Sequence, residues 1–235
     1  MKPFLLNQVF EINEGLIARC LPVEGVPGVL IDNLLRHPDQ AREIAGAAPA
    51  ANWKHVEGGC NFIDYYDCRL RFPILPPNGM VAAARDAIQT AWGVQTWPQH
   101  PSVDVNWFMQ IRPRRADFAM PHHDLTEDVT RAFTCIVYLN SEEECSGGTA
   151  FFRFRETRSL VPDPAYLRAL ERGNVAETGA DYWMHTPDRY WEKVGAVEMA
   201  PGRMMIFPAE YFHAAWHPQD SFFEFPRLTL VFWMV

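Results

Sequence analysis

His122 and Asp124 stand two residues apart, and a distant histidine and an arginine follow them near the C-terminus: His213, with His217 as its rival, and then Arg227. In an extended segment, residues i and i+2 project to one face. His122 and Asp124 can therefore approach the same metal, while His123 points the other way, toward a supporting layer or solvent. One more imidazole brought in from a remote strand gives two histidines and a carboxylate on a single side of the ion. That donor set leaves about half of an octahedral sphere open, the arrangement used for oxygen chemistry at non-haem Fe(II). Arg227 adds a planar, permanently charged fork that suits a dicarboxylate.

Two residues compete for the distal position. His213 follows the run Arg203–Phe207 and a turn at Pro208, which would deliver it to the mouth of a barrel; His217 lies four residues on, beside Pro218. A histidine among aromatics (Tyr211, Phe212, Trp216) is by default a packed core residue. The position directly after a strand favours His213, and His217 stays open. Arg227 itself opens a run to Val235 in which Arg227, Thr229, Val231 and Trp233 share one face. Both faces are largely apolar, so the strand is buried, and a buried arginine requires an anion or a hydrogen-bonding partner. That partner is an internal carboxylate or the far carboxylate of a bound 2-oxo diacid. Tyr138 shares a face with Thr134 and Ile136 and can donate its hydroxyl to the same diacid.

These residues need strands to hold them. From Ser102 onward short apolar, β-branched and aromatic runs are separated by turn signals: Val103–Ile111, Ala132–Leu139, Thr149–Arg155, Arg203–Phe207 and Arg227–Val235. Ser146-Gly147-Gly148-Thr149 is read as a tight hairpin turn, not as a phosphate loop, since no lysine follows at the required spacing. The first hundred or so residues are mixed, with a strand at Gly28–Asp32 and helices at Asp39–Ala48 and Val81–Trp92 placed to brace a sheet. Asp163–Arg172 also reads as helical. Many short strands without interleaved long helices favour a jelly roll or barrel over an α/β sheet. The whole chain, 1–235, is expected to be a single domain: a flanking region 1–100 and a mainly β (α+β) core 101–235.

Composition narrows the classes. Hydrophobic residues form 48% of the 235, enough for a sizeable core and against global disorder. A net charge of −8 would repel nucleic-acid phosphates. No run approaches the ~18 apolar residues of a membrane span, and Met1-Lys2-Pro3-Phe4 lacks the features of a signal peptide. The five cysteines are odd in number and contain no C-x-x-C pair, so neither a disulfide framework nor a zinc ribbon is indicated. A reducing cytoplasm is the simplest expectation. Oligomeric state cannot be read from the chain.

The motifs occur in an order that resembles the Fe(II)/2-oxoglutarate-dependent oxygenase superfamily, nearest in pattern to its prolyl-hydroxylase-like members. His122-His123-Asp124 resembles the H-x-D motif, Arg131–Asn140 the T-x-x-x-Y-L-N strand, Ser146–Thr149 the G-G turn, and Gly202–His213 the strand carrying the distal histidine. Arg227–Trp233 resembles the terminal strand with its co-substrate arginine. Gly28–Asn33 and Trp191–Gly195 also resemble an uncharacterised bacterial branch. Arg112 stands where the family often has tyrosine. The resemblance covers roughly residues 100–235. It implies a double-stranded β-helix (jelly-roll, cupin-like) core in which His122, Asp124 and His213 hold Fe(II), and in which Arg227 and Tyr138 bind 2-oxoglutarate. It further implies O2-dependent hydroxylation by an oxidoreductase of the dioxygenase kind. Glu156–Val197 then reads as an insertion forming a lid. Its nearby aromatics (Tyr182, Trp183, Tyr190, Trp191) suit an amino acid, a peptide or a small apolar metabolite. The alternatives are a jelly-roll protein that binds metal or ligand without turnover, and a cupin-like metal enzyme that does not use 2-oxoglutarate.

Overall fold

The terminal strand explains most of the architecture, because its two faces serve different layers. In the computed structural model, which describes residues 9–47, 54–55, 65–71, 78–94, 107–113, 121–125, 133–171, 190–216, 225 and 227–234, all but one of the residues Arg227–Met234 are buried. The N-terminal part supplies β1 (Ile17–Cys20), β2 (Val29–Asp32), β3 (Lys54–His55) and β4 (Tyr65–Arg71), with helices α1 (Pro38–Ala47) and α2 (Asn78–Trp92). The C-terminal part supplies β5 (Trp107–Pro113), β6 (Phe133–Tyr138), β7 (Gly148–Phe154), α3 (Pro164–Glu171), β8 (Trp191–Glu198), β9 (Met204–Pro208), β10 (His213–Trp216) and β11 (Arg227–Met234).

The strands form an eight-stranded sheet in the order β1-β2-β9-β6-β11-β5-β4-β3 and a smaller one in the order β10-β7-β8. His122 extends the smaller sheet by pairing antiparallel with His213 at the free edge of β10. From β5 onward the chain passes back and forth between the two sheets, with only β7 and β8 consecutive in one of them, so that β5, β11, β6 and β9 form one wall and the His122 segment, β10, β7 and β8 form the other. This is the jelly-roll, or double-stranded β-helix, connectivity. The N-terminal strands lengthen the larger sheet at both edges: β1 and β2 beside β9, β3 and β4 beside β5.

Alternation along each strand divides the apolar residues among three layers. Between the sheets lie Ile136, Tyr138, Met205, Phe207 and Val231 from one wall with Phe151 and Val197 from the other. The Phe151 and Phe207 rings meet edge to face with centroids 5.0 Å apart. The outer face of the large sheet (Cys135, Val137, Ile206, Leu228, Leu230, Phe232) is covered by Ala41, Ala45, Met80, Ala84 and Ile88 of α1 and α2. The outer face of the small sheet (Ala150, Phe152, Phe154, Phe212) is covered by Ala165, Tyr166 and Ala169 of α3. Each fully buried large apolar side chain contributes about 1.5–3 kcal/mol relative to exposure, so the two walls are held rigid from outside as well as between. Among the described residues no helix is long and apolar enough to cross a membrane.

Two expectations need correction. Ser146–Thr149 does not close a hairpin: β6 and β7 belong to different sheets, and the segment is a crossover between them. Its glycines serve that crossover. Gly147 has φ +76°, and a Cβ on Gly148 would lie 1.9 Å from the Val197 carbonyl oxygen of the adjacent strand. The insertion expected over Glu156–Val197 is also too long, because Trp191–Glu198 is the wall strand β8, paired along β7 with a register shift at Phe151/Phe152. That shift and Gly195 break the two-residue period that would have marked it as a strand. Residues 172–189, the centre of the expected lid with Tyr182 and Trp183, lie outside the described residues, as does His217.

Candidate metal centre and a buried polar cluster

The backbone pair that ties His122 to His213 also builds the site. His122 N–H donates to the His213 carbonyl at 3.0 Å and His213 N–H to the His122 carbonyl at 2.8 Å, while Asp124 N–H donates to the Ala209 carbonyl at 2.8 Å. The short segment is thereby stitched into the sheet edge with His122 and Asp124 on the inner side. Their ligand atoms and that of His213 all lie within 4.8 Å of one another. Nε2 of His122 is 3.8 Å from Asp124 Oδ1, Nε2 of His213 is 3.5 Å from Oδ2, and the two imidazole centroids are 4.5 Å apart. One ligand atom from each of the three residues is thus within reach of a common point.

The surroundings orient these atoms. His213 Nδ1 is 2.9 Å from the Tyr211 carbonyl oxygen, which can only accept, so Nδ1 carries a proton there and Nε2 is the nitrogen that faces the group. Asp124 Oδ2 accepts hydrogen bonds from Thr134 Oγ1 at 2.8 Å and Trp233 Nε1 at 2.9 Å. Burial by itself would raise the Asp124 carboxyl. The His213 and His122 imidazoles, with the Trp233 and Thr134 donors, outweigh it and hold the group below the usual carboxylate range. Asp124 is therefore an anion at neutral pH, as a ligand must be. His123 points away, as its place between inward neighbours requires, and its ring lies 6.0 Å from that of Phe212 and 6.3 Å from that of Tyr166 in the layer under α3.

Arg227 lies on the inner face of β11, 3% exposed. It donates to Thr149 Oγ1 across the interior at 3.1 Å, and its guanidinium carbon stands 5.4 Å from the Tyr138 ring centroid. Tyr138 Oη and Thr149 Oγ1 are 2.8 Å apart. Burial pushes the Tyr138 phenol up, against the opposing pull of Arg227, so the hydroxyl keeps its proton. Because Thr149 accepts from Arg227, it can donate to Tyr138, which frees the Tyr138 proton for a further acceptor. Thr229, on the same face of β11 between Arg227 and Trp233, is fully buried, and its hydroxyl has no partner among the described residues.

The structure brings together His122, Asp124 and His213, and separately Arg227 and Tyr138. It takes Trp191 away from any substrate wall, because that side chain packs with Phe154, Tyr166 and Phe212 on the outer face. Sequence reasoning missed Thr134, Trp233 and Thr149 as site residues. Trp233 carried one signal, sharing the face of Arg227 along an alternating strand, and Thr134 another, sharing that of Tyr138, but Thr149 across the interior had none.

Among solved structures the chain is similar to a Pseudomonas putida prolyl-4-hydroxylase (13% identity, 94% of this chain and 91% of that one, TM-score 0.42). It is similar also to the epimerase SnoN, solved with Fe3+, alpha ketoglutarate and nogalamycin RO (17% identity, 83% and 71%, TM-score 0.47). A third is HygX from Streptomyces hygroscopicus, solved with nickel and 2-oxoglutarate (14% identity, 83% and 76%, TM-score 0.44). The comparison with curated proteins finds no match. The model of the family of unknown function DUF6445 matches residues 17–225, most of the chain, and the protein belongs to that family.

Proposed function

We propose that the protein is an Fe(II)- and 2-oxoglutarate-dependent dioxygenase that hydroxylates an unactivated C–H bond of an amino acid, a peptide or a small metabolite. The observation that carries this reading is the convergence of two imidazole nitrogens and one carboxylate within 4.8 Å, at the mouth of a jelly roll whose interior also holds a buried arginine. His122, Asp124 and His213 supply a donor set suited to iron with open positions. The buried, partnerless Thr229 hydroxyl lies on the β11 face between Arg227 and Trp233, where a polar ligand would satisfy it.

In this reading Arg227 and Tyr138 hold the far carboxylate of 2-oxoglutarate, and Thr149 orients both. Thr229 donates to the same molecule along its length. His213 is kept in one tautomer by the Tyr211 carbonyl. The apolar residues between the walls, Phe151, Phe207 and Val231 among them, exclude water from the interior. Iron and 2-oxoglutarate, when bound, would supply oxidative decarboxylation to succinate coupled to hydroxylation by O2.

The test is succinate formation from 2-oxoglutarate under Fe(II) and O2, with a panel of free amino acids, peptides and metabolites. Stimulation by at least one substrate class, lost in His122→Ala and Asp124→Ala, is expected. Those two variants should also fail to retain stoichiometric iron when loaded anaerobically. Iron binding with no 2-oxoglutarate binding or turnover would leave a metal-binding jelly roll in its place.

A further inference from the structure

Asp124 is the one proposed ligand that could bind an ion through two atoms at once, and the protein treats those atoms unequally. Oδ2 accepts from Thr134 Oγ1 at 2.8 Å and from Trp233 Nε1 at 2.9 Å. Oδ1 instead faces His122 Nε2 at 3.8 Å, while His213 Nε2 stands 3.5 Å from Oδ2. The two donors come from a directly opposed cross-strand pair, Thr134 of β6 and Trp233 of β11. Alternation turns both toward the interior, so adjacent positions on two rigid strands point at a single oxygen. A carboxylate oxygen has about two lone-pair directions in its plane, and both are then engaged.

We infer that Thr134 and Trp233 form a clamp that keeps Asp124 a one-oxygen metal ligand through Oδ1. This rests on the reading of His122, Asp124 and His213 as the metal ligands. A carboxylate that chelates with both oxygens would fill one of the positions that the open half of the site has to offer. The clamp prevents this by making Oδ2 satisfied and immobile. It also fixes the rotation of the carboxylate. Thr134 and Trp233 are thus positioning residues. They act on the ligand count, which is a different role from merely satisfying a buried anion.

Mn(II) alone is the probe, bound to the full-length protein as isolated and stripped of metal. Affinity comes from titration, and the number of exchangeable waters on the ion from water-proton relaxation. Thr134→Val and Trp233→Phe should each weaken Mn(II) binding about ten- to a hundredfold, the range typical of partners that orient ligands. They should also lower the relaxation per bound ion, because the released Oδ2 displaces a water. Thr134→Ser keeps the donor and should restore both values. A role confined to folding would change the melting temperature but leave the relaxation per bound ion as in the parent. If Trp233→Phe does not fold, the Thr134→Val and Thr134→Ser pair decides the matter by the same two readouts. Parental affinity and relaxation in folded Thr134→Val would overturn the clamp while leaving the metal site standing. Parental Mn(II) binding in His122→Ala and Asp124→Ala would overturn the metal site, and the clamp with it.

Discussion

Replacing Arg227 should separate co-substrate binding from everything else the fold does. Arg227 is 3% exposed and donates to Thr149 Oγ1, and in the proposed complex its planar fork meets a carboxylate in two parallel bonds. A hydrogen bond to a charged group is worth about 1.5–3 kcal/mol, so losing two removes about 3–6 kcal/mol. At tenfold per 1.4 kcal/mol, Arg227→Met should weaken 2-oxoglutarate binding by roughly two to four orders of magnitude. Arg227→Lys keeps the charge but not the fork and should fall between. Thr149→Val removes only the group that orients Arg227 and Tyr138, a neutral bond of about 0.5–1.5 kcal/mol, and should cost roughly two- to tenfold. The assay is anaerobic titration of the Fe(II)-loaded protein, following the metal-to-ligand absorption of the bound 2-oxo acid. Iron stoichiometry measured alongside should be unchanged in all three variants. Parental affinity in Arg227→Met would refute the assignment of the pocket and leave Arg227 a purely structural cation.

Thr229→Val should raise thermal stability of the unliganded protein by about 1 kcal/mol or more, because it removes a buried hydroxyl without a partner, while weakening 2-oxoglutarate binding several-fold; a variant less stable than the parent would contradict the first half. Asp32 accepts from Arg203 Nε at 2.5 Å and from Arg19 Nε at 3.0 Å. Although burial would raise it, these arginines hold its carboxyl below the ordinary value. Its contribution is therefore complete above the unfolded value and is lost as pH falls through the lower folded one. Asp32→Asn should reduce stability by about 1 kcal/mol at neutral pH after allowance for solvent screening, with the difference from the parent closing below about pH 4; a gap that persists in acid would exclude the ion pair as its source. Gly148→Ala should destabilise by about 3 kcal/mol or prevent folding, since its Cβ would lie 1.9 Å from the Val197 carbonyl; a parental denaturation midpoint would mean that β7 and β8 do not pair in this register.

The sequence carried the site better than it carried the sheets. His122 and Asp124 could be read as a pair because a two-residue spacing has a fixed geometric meaning in extended chain. The inward set Arg227, Thr229, Val231 and Trp233 followed from the same rule. Strands β2, β6, β7, β9 and β11 were visible because both of their faces are apolar or alternate cleanly. β8 was hidden by its register shift and by Gly195, and β1 by its exposure, since all of Ile17–Cys20 face solvent and no apolar period marks it. Sheet membership was the least accessible property. Nothing in Ser146–Thr149 distinguishes a hairpin from a crossover. That distinction depends on which strand lies beside β7, and the neighbours of β7 are β8 and β10, the latter more than fifty residues away in sequence.

The same physics accounts for which site residues were missed. A metal ligand has a recognisable type and spacing, whereas a group that orients a ligand can be any donor placed opposite it by pairing. Thr134 and Trp233 are adjacent only because β6 and β11 run antiparallel in one register. A one-residue slip would turn Trp233 to the outer face and Phe232 toward Asp124. Thr149 meets Tyr138 and Arg227 only because the Gly147–Gly148 crossover carries β7 to the opposite wall. Residue types thus announce the chemistry that the chain can hold, while register and crossover decide the geometry in which it is held. In this jelly roll the two meet on β11, whose inner face carries Arg227 toward one end and Trp233 toward the other.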